Sequence, residues 1–551
     1  MIPSGGSLRH TDIGMRRIIG RTRGSEGSIL MSCWRLSLLV GATLLVLGTG
    51  CATGPVRDDA PKSHAVSPLQ GRDSALGRHL TDGLARNPGN SGFRLLDTGE
   101  DAFLARVLLA DAAEHSIDMQ YYIWEGDRSS RRLGERILRA ADRGVRVRLL
   151  LDDFYLGGKR DFSIASVSSH PNIQVRIFNP LRRRGGALSR NAELVTRVGR
   201  LKHRMHNKIF AVDNTVAIVG GRNVGDVYFG VSPDHNYRDL GLLAAGPIVA
   251  ELSTSFDSFW NSDWAIPIES LHRSLPSADE AEEIFNAIRL EARDDLNFPI
   301  HLAGGAEESQ RALVRLLSEL TWARAELVVD APDKAGGEVS ESVNRALLET
   351  LEATEKEALF ATPYLMPISK ELKGLRGLLD RGVAVRILTN SLASTDVLIS
   401  HASYASYRPR MLSLGVSIFE LRPDASRRSH YAPSAEAEAR LSLHVKAAVL
   451  DRRSVYIGSF NFDRYGAKIN TESGLIVHSP KLAEAVLELL EPDLLPQNSW
   501  RVVVGDDRDA GSSALKWIGE SHGHPAVYTS EPMAGLGRRI KVWLLGLLPI
   551  R

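Results

Sequence analysis

The chain has 551 residues, of which 43% are hydrophobic and 24% are charged, so it is long enough for two or three domains with complete cores. The formal net charge is only +2, so no global positive field points to nucleic acid as a partner. The two cysteines, Cys33 and Cys51, both precede the predicted folded region, which excludes a disulfide framework or a cysteine metal site there.

The first segment in chain order is an apolar run at residues 36–47. Arg35 precedes this run, and small residues follow it up to Cys51. This order is typical of a secretory signal, and the cysteine at the cleavage point resembles a bacterial lipoprotein signal, in which the thiol of Cys51 would be lipidated. An uncleaved membrane anchor and an apolar segment without a targeting role are the alternatives. The first two would hold a bacterial protein at the membrane, where we expect it to face the periplasm.

A pattern of helices and apolar strands begins near residue 93 and occurs twice. Residues 142–150 have the pattern of a helix end, a turn at Gly144 and a buried strand, and residues 380–388 repeat it at an offset of 238 residues. Upstream, residues 107–124 and 346–365 each look like a helix followed by an apolar strand. The alternation predicts an α/β fold in two half-domains, each with a mostly parallel sheet and helices on its faces.

The repeat and the composition of the stretches around it predict the domain organisation. We expect an N-terminal extension with the apolar segment at 1–50, a linker at 51–92, a first half at 93–265, a linker at 266–305, a second half at 306–500 and a C-terminal tail at 501–551.

Two basic clusters each leave two interpretations open. The basic residues between 182 and 204 form either a solvated loop or a surface for anionic phosphate groups. In the tail, Arg538, Arg539 and Lys541 precede the apolar run 542–548, which is too short to span a bilayer. That run either lies in a membrane interface or docks on the core as a terminal helix.

The strongest feature of the repeat is one motif that occurs twice at the same offset of 238 residues. Its members are His206, Lys208, Asp213, Gly220 and Asn223 in the first copy, and His444, Lys446, Asp451, Gly458 and Asn461 in the second. A single histidine–lysine–aspartate match arises by chance in many proteins. Five matched positions at one offset are very unlikely to be chance, so the motif indicates function.

These side chains suit a phosphodiester substrate. A neutral histidine can act as nucleophile near pH 7 and divide the displacement into two steps. A second histidine can protonate the leaving alkoxide and then deprotonate the incoming hydroxyl. Lysine ammonium groups and asparagine amides can bind the non-bridging oxygens. We therefore predict a site that needs no metal or cofactor, in which Lys208, Lys446, Asn223 and Asn461 bind the phosphate.

The spacing of the motif predicts its geometry. Residues i and i+2 of an extended segment share a face, so the histidine and the lysine of each copy should project together. The apolar runs that follow suggest hairpins that return Asn223 to His206 and Asn461 to His444. Two halves that meet around a pseudo-two-fold axis would bring the two histidines face to face.

A nucleophilic histidine is oriented through its other ring nitrogen, usually by a carboxylate. Asp239 and Glu472 follow their motifs at similar distances and precede apolar strands, and we assign them as the orienting acids. Asp213 and Asp451 belong to the catalytic motif, but they lie at strand ends. We expect them to hold a turn or pair with a basic residue rather than touch substrate.

The paired His-x-Lys-x-x-x-x-Asp motifs resemble those of the phospholipase D superfamily, and the resemblance extends over residues 93–500. The sequence is most similar to bacterial cardiolipin synthases of the C type, in residues 117–124, 205–208, 219–226 and 458–463. One departure is Gly221, where the family often has serine, as Ser459 is in the second copy. This departure puts a hydroxyl contact in the first half in doubt.

The resemblance implies two α/β/α sandwich halves with the active site at their pseudo-two-fold interface. It also implies a phosphatidyl-histidine intermediate, with His206 as nucleophile and His444 as acid and base, although the near-equivalent halves leave that order open. The implied reaction transfers a phosphatidyl group to phosphatidylglycerol and gives cardiolipin. Phosphatidylethanolamine or a second phosphatidylglycerol would be the donor.

Three other functions remain as alternatives. Two are enzymatic, hydrolysis of phospholipid to phosphatidic acid and cleavage of nucleic acid or another phosphodiester, and the third is a non-enzymatic scaffold. The expected partners are membrane phospholipids and the membrane surface, with an accessory protein as an option and no nucleic acid.

Overall fold

The protein is described here by a computed structural model, which covers residues 60–156, 159–181, 198–272, 275–295, 297–301, 305–337, 342–432, 438–505 and 515–547. Cys51 and the apolar run at 36–47 lie outside these ranges, as do basic residues 182–197.

The strands of the described ranges are numbered in chain order. They are β1 Ser91–Leu96, β2 Ser116–Tyr121, β3 Arg146–Asp152, β4 Ile173–Phe178, β5 Ile209–Val212, β6 Val216–Gly220, β7 His235–Arg238, β8 Gly241–Ala245, β9 Ala265–Pro267, β10 Thr321–Val329, β11 Glu357–Ala361, β12 Ala384–Asn390, β13 Ser417–Leu421, β14 Arg440–Leu443, β15 Ala447–Leu450, β16 Ser454–Gly458, β17 Ser473–His478, β18 Ser499–Val504, β19 Leu515–Ser521 and β20 His524–Tyr528.

Helices connect and cover these strands. The α-helices are Pro68–Asp73, Ala75–Arg86, Gly99–Ala112, Arg128–Asp142, Lys159–Val167, Val198–Leu201, Asp226–Phe229, Pro247–Trp260, Ala278–Asp294, Ala306–Ser318, Ser342–Glu352, Ser369–Asp380, Leu398–Leu414, Arg428–Tyr431, Arg464–Lys468, Pro480–Leu490 and Leu536–Gly546. Short 3-10 helices span Asp153–Tyr155, Ile268–Leu271, Pro332–Gly336 and Glu491–Leu494. Within the ranges given above, no helix has both the length and the apolarity needed to cross a bilayer.

The strands of the two halves follow mirrored orders, which confirms the predicted pair of repeated α/β halves. The first half runs β9-β4-β3-β2-β5-β6-β8-β1. The second half runs β10-β17-β16-β15-β11-β12-β13-β18, followed by β19 and β20. Strands β1 and β10 pair antiparallel, with Gly92 opposite Trp322, so the two half-sheets are joined edge to edge.

The expectation of mostly parallel sheets was wrong. Each half has a parallel core of three strands, β2-β3-β4 and β11-β12-β13. The remaining neighbours in both half-sheets pair antiparallel, including the β5–β6 and β15–β16 hairpins that follow the motifs. Short apolar strands look alike in either orientation, so the sequence pattern could not distinguish them.

The predicted helix–turn–strand unit is present in both halves. The helices Arg128–Asp142 and Ser369–Asp380 end just before Gly144 and Gly382, whose φ angles are 95° and 81°. Glycine adopts this left-handed region without the penalty of a side chain. The chain turns there and enters β3 or β12, each in the middle of its parallel core.

The stretches expected to be linkers contain folded helices. Ala75–Arg86 buries Leu76 and Leu80 against the first-half core, and Ala278–Asp294 buries Ala281 and Phe285 in that core. Both helices are amphipathic and mix apolar with charged residues, so their composition alone does not distinguish them from a solvated segment. The tail is also folded, since β19 and β20 extend the second half-sheet.

One apolar core is shared by the two halves. It contains Ile209 and Val219 from the first hairpin and Val449 and Ile457 from the second. Because these hairpins directly follow the two motifs, the shared core holds the motif histidines of both halves near one another.

Candidate active site

Both catalytic motifs lie directly before a hairpin strand and are held by the opposite half. The backbone N–H of His206 donates to the carbonyl of Thr471 at 2.9 Å, and that of His444 donates to the carbonyl of Arg238 at 2.7 Å. Strands β7 and β14 pair in parallel just ahead of the second histidine, and a Met205–Thr471 bridge is its counterpart in the first motif. The two motifs are thus fixed across the interface.

The orienting acids are exchanged between the halves. The Nδ1 atom of His206 lies 2.9 and 3.0 Å from the carboxylate oxygens of Glu472. The Nδ1 atom of His444 lies 2.6 Å from Oδ2 of Asp239. When Nδ1 carries the proton and donates to the acid, Nε2 keeps its lone pair for chemistry. Sequence spacing identified both acids but could not show this exchange, because it does not encode contacts across an interface.

The lysines project from the same segments as the histidines, as the spacing predicts. Lys208 Nζ donates to the carbonyl of His206 at 2.6 Å, and Lys446 Nζ donates to the carbonyl of His444 at 2.8 Å. Both lysines are buried; burial lowers the pKa of each, and the charge of Lys446 lowers the pKa of Lys208 further. Two buried ammonium groups in one site form a strong field for a phosphate.

Burial and the lysines keep both histidines neutral near pH 7. Burial, assisted by the charges of Lys208 and Lys446, holds the pKa of His206 well below 6.5. Burial and Lys446 lower the pKa of His444 to about 4, against the opposing effect of Asp239. A neutral imidazole is the form that can attack phosphorus.

The two orienting acids differ in their ionisation. Burial raises the pKa of Glu472 to about 7, against the effect of Lys208 and a hydrogen bond from Ser459. Burial also acts to raise the pKa of Asp239, but the contact with His444 and the charge of Lys446 outweigh it, so this pKa lies below 3.8. Asp239 is therefore the acid that keeps its negative charge near pH 7.

Gly221 and Ser459 occupy corresponding positions in the two motifs and make different contacts. Ser459 Oγ donates to Oε2 of Glu472 and accepts from the backbone N–H of Ser473. At Gly221, a Cβ atom would lie 2.6 and 2.9 Å from the carboxylate oxygens of Asp239 and 3.0 Å from the carbonyl of His444. The glycine therefore lets Asp239 approach closely, and the first half has no hydroxyl contact at this position.

The motif asparagines are also buried in the site region. Asn223 Oδ1 accepts from the backbone N–H of Ile123 at 3.2 Å, and its side chain is also hydrogen-bonded to Tyr228. Oδ1 of Asn461 has no hydrogen-bond partner among the described residues. A buried amide with unused hydrogen-bonding capacity is suited to a polar ligand.

The motif aspartates accept hydrogen bonds from the backbone and, among the described residues, make none with the motif histidines. The carboxylate of Asp213 accepts three backbone hydrogen bonds, from Glu114, His115 and Ser116. That of Asp451 accepts three from residues 355–357. Each carboxylate therefore fixes the chain that enters β2 or β11, a structural role of the kind expected for an aspartate at a strand end.

Sequence reasoning missed two positioning residues, Asp152 and Asn390. Asp152 Oδ2 accepts from the backbone N–H of Met205 at 2.9 Å, and Asn390 Oδ1 accepts from that of Leu443 at 2.8 Å. Each donor immediately precedes a motif histidine. The signal was available, because the two residues are related by the repeat offset of 238 and both end central strands.

Three tyrosines that the motif analysis did not single out surround the histidines. The ring of Tyr122 lies 5.2 Å from that of His206. The rings of Tyr228 and Tyr237 lie 5.3 and 4.8 Å from that of His444. These rings limit the access of water to both imidazoles, which strengthens electrostatic interactions in the site.

The described part of the first basic cluster is structural. Arg200 donates to Oδ1 of Asn179 and to the carbonyl of Pro180, and Arg204 pairs with Asp152. Across the described ranges, no group of three or more His, Cys, Asp or Glu side chains could hold a metal ion.

Comparisons with known proteins agree with this geometry. The model of a family described as cardiolipin synthase, PLD-like domain, matches residues 108–260 and 347–494, one match in each half. Cardiolipin synthase C of Escherichia coli is 34% identical over 475 residues, which are 85% of this chain and 97% of the relative. Cardiolipin synthase A of Pseudomonas aeruginosa is 26% identical over 443 residues, which are 80% of this chain and 73% of the relative.

A solved structure has the same fold. The crystal structure of phosphatidylserine synthase from Haemophilus influenzae aligns with a TM-score of 0.50 and 12% sequence identity, over 77% of this chain and 91% of that one.

Proposed function

Since the chain belongs to the cardiolipin synthase family with phospholipase D-like domains, it is a phosphatidyltransferase of the phospholipase D type, and we propose that it forms cardiolipin through a covalent phosphatidyl-histidine intermediate. The acceptor is phosphatidylglycerol, and the donor is a second phospholipid. The observation that carries this proposal is the exchanged pair of histidine–carboxylate contacts, His206 with Glu472 and His444 with Asp239.

In the first step, Nε2 of His206 attacks the phosphorus of the donor, and the bond from phosphorus to the headgroup oxygen breaks. His444, which takes up a proton on Nε2 when the anionic substrate binds, gives that proton to the headgroup oxygen, and the headgroup leaves as an alcohol. This order of the histidines is supported by their acids. The charge on Asp239 stabilises an imidazolium at His444, and the bound phosphodiester raises the pKa of that histidine further. Glu472 has a pKa of about 7 and stabilises a cation at His206 less.

In the second step, neutral His444 takes the proton from a hydroxyl of phosphatidylglycerol. The oxygen attacks phosphorus, the bond from phosphorus to His206 breaks, and cardiolipin is released. In both steps, the non-bridging oxygens carry most of the negative charge, and they are bound by Lys208, Lys446 and the motif asparagines. Water in place of the lipid hydroxyl would give phosphatidic acid, so the acceptor alone separates transfer from hydrolysis.

Membrane association is part of this proposal and is supported by the C-terminal helix Leu536–Gly546. Val542 packs inward, together with Leu545, against Leu392 and Ala402. The opposite face exposes an apolar stripe, formed by Leu536, Ile540, Trp543, Leu544 and, just after the helix, Leu547. Arg538 holds the helix against the loop that follows β12, after Asn390, by donating to the carbonyls of Leu392 and Thr395. A bilayer that receives this stripe would therefore lie next to the active site.

The test is lipid mass spectrometry of a cardiolipin-deficient bacterium that expresses the full chain. We expect cardiolipin with the unaltered chain and with His524→Ala, a control at an exposed histidine, but not with His206→Ala. Phosphatidic acid without cardiolipin would make the protein a hydrolase. An unchanged lipid profile in an expressing strain would contradict the proposal.

A further inference from the structure

An acidic side chain in a cage of tyrosines lies beside the second catalytic histidine. Asp396 follows β12, on a loop at 391–396 that we call the second-half rim, and its side chain is exposed. Its carboxylate accepts from the hydroxyl of Tyr237 at 2.8 Å and from that of Tyr364 at 2.9 and 3.0 Å. Tyr228 packs on Tyr237, with 4.9 Å between the ring centroids.

This cage is next to the group that would protonate the headgroup. The ring of Tyr237 that holds Asp396 is also the ring 4.8 Å from His444. The charge of Asp396 raises the pKa of both His444 and Lys446, which shows that the carboxylate is electrostatically coupled to the catalytic groups. A headgroup that leaves toward His444 would therefore come near Asp396.

In the described part of the chain, the carboxylate of Asp396 is held by tyrosine hydroxyls and forms no ion pair. Two arginines bind backbone carbonyls of the same loop, Arg440 that of Ala393 and Arg538 those of Leu392 and Thr395. Burial lowers the pKa of Arg538, and the charge of Asp396 acts to raise that pKa without direct contact. The tyrosine hydroxyls orient the carboxylate without neutralising it. The rim therefore offers one negative charge surrounded by aromatic rings.

The corresponding place in the first half is built differently. Residues 153–155 after β3, which we call the first-half rim, expose the rings of Phe154 and Tyr155. The carboxylate of Asp153 accepts from the backbone N–H of Leu181, and that of Asp152 is buried with Arg204. Among the described residues of the two rims, the acidic site in a tyrosine cage lies on the side that faces His444.

We propose that Asp396, with Tyr237 and Tyr364, binds the primary ammonium of the donor headgroup and so selects an amino-alcohol phospholipid over one with a neutral headgroup. A carboxylate attracts an ammonium directly, and tyrosine faces add a cation–π attraction. This inference rests on the proposed function, because it assigns the headgroup to the cleavage step. With phosphatidylethanolamine, the proton from His444 goes to the ester oxygen, and ethanolamine leaves beside Asp396.

The test compares two donors of similar size that differ in charge. Phosphatidylethanolamine and phosphatidylpropanol are presented separately to the full-length enzyme in mixed micelles with phosphatidylglycerol, and headgroup release and cardiolipin are both measured. We expect kcat/KM for phosphatidylethanolamine to exceed that for phosphatidylpropanol by about tenfold or more, the scale of a single partly desolvated charge contact. In Asp396→Asn, the ratio should fall to near one.

Tyr364→Phe keeps the ring and removes one hydroxyl that orients the carboxylate, so an intermediate ratio is expected. The exposed Asp82→Asn serves as the charge-matched control and should keep the unaltered ratio. Equal use of both donors by the unaltered enzyme, or an unchanged ratio in Asp396→Asn, would overturn the ammonium site while leaving phosphatidyl transfer in place. Failure to turn over either donor would overturn both proposals.

Discussion

The two halves of the active site have the same catalytic groups but different surroundings. Each half supplies one histidine, one lysine, one asparagine and one orienting acid, and the exchanged acids make the pair symmetric. The first-half rim exposes Phe154 and Tyr155, whereas the second-half rim carries the carboxylate of Asp396. Symmetry is kept around the two histidines and is lost at the rims, where the proposed mechanism has to distinguish the headgroup from the rest of the lipid.

Loss of either motif histidine should have the largest effect. With phosphatidylglycerol as acceptor, His206→Ala and His444→Ala should each lower turnover by about 10³-fold or more, because one removes the nucleophile and the other the proton transfer. Initial rates of cardiolipin formation, with circular dichroism to check the fold, measure this. A variant that keeps more than about a tenth of the activity would contradict a role for both halves.

Substitution of each orienting acid should distinguish the role of His206 from that of His444. Glu472→Gln and Asp239→Asn should each slow transfer by about 10²-fold, as expected for the partner of a catalytic histidine. With a phosphatidyl p-nitrophenyl ester, the leaving group needs no proton. The p-nitrophenol burst should then recover in Asp239→Asn but stay slow in Glu472→Gln. Equal recovery in both variants would mean that the roles of His206 and His444 are not divided as proposed.

The pH profile should report the charged state of the second-half lysine. Burial lowers the pKa of Lys446 to about 8, so its ammonium loses the proton as pH rises through that value, and kcat/KM should fall by up to about tenfold per pH unit above it. With the phosphatidyl p-nitrophenyl ester, whose leaving group needs no proton from His444, the profile should be flat between about pH 6 and pH 8, because the pKa values of both histidines lie below that range. In Lys446→Arg, which stays charged, the alkaline fall should disappear. A profile that is flat to pH 10 in the unaltered enzyme would contradict this.

The glycine–serine difference should have the smallest effect, chiefly on stability. Gly221→Ser places a Cβ atom 2.6 Å from Oδ1 of Asp239, and such overpacking costs about 1–3 kcal/mol. Ser459→Ala removes two hydrogen bonds, one to Glu472 and one from the backbone N–H of Ser473, worth about 1 kcal/mol each. The free energy of unfolding, measured by urea denaturation, should therefore fall in both variants by a similar amount. An unchanged free energy of unfolding in Gly221→Ser would show that Asp239 moves freely and that the glycine is not needed for its approach.

The sequence predicted the repeated elements and the site residues better than it predicted how the two halves contact each other. The matched motifs predicted which histidines and lysines the structure buries at the interface of the halves, and the spacing of each histidine and lysine predicted that they project from one segment. The exchange of Asp239 and Glu472 between halves could not be predicted, because similar distances along the chain are compatible with either pairing. The edge pairing of β1 with β10 was also hidden, since an edge strand shows no partner in its own sequence.

Two helices that lie in the stretches expected to be linkers were the other difference from the sequence prediction. The helices Ala75–Arg86 and Ala278–Asp294 have capping serines at Ser74 and Ser277, which are signals for helix starts. Their mixture of apolar and charged residues favoured a linker interpretation, although a narrow apolar face is sufficient to dock a helix on an existing core.

The most direct measurement is to locate the covalent intermediate on the protein. The full chain, His444→Ala and His206→Ala are each incubated with the phosphatidyl p-nitrophenyl ester, quenched in alkali, digested and mapped by mass spectrometry. We expect the phosphatidyl group on His206 in His444→Ala and no adduct in His206→Ala. An adduct on His444 when His206 is absent, or no adduct in any of the three chains, would contradict a phosphatidyl transfer that begins at His206.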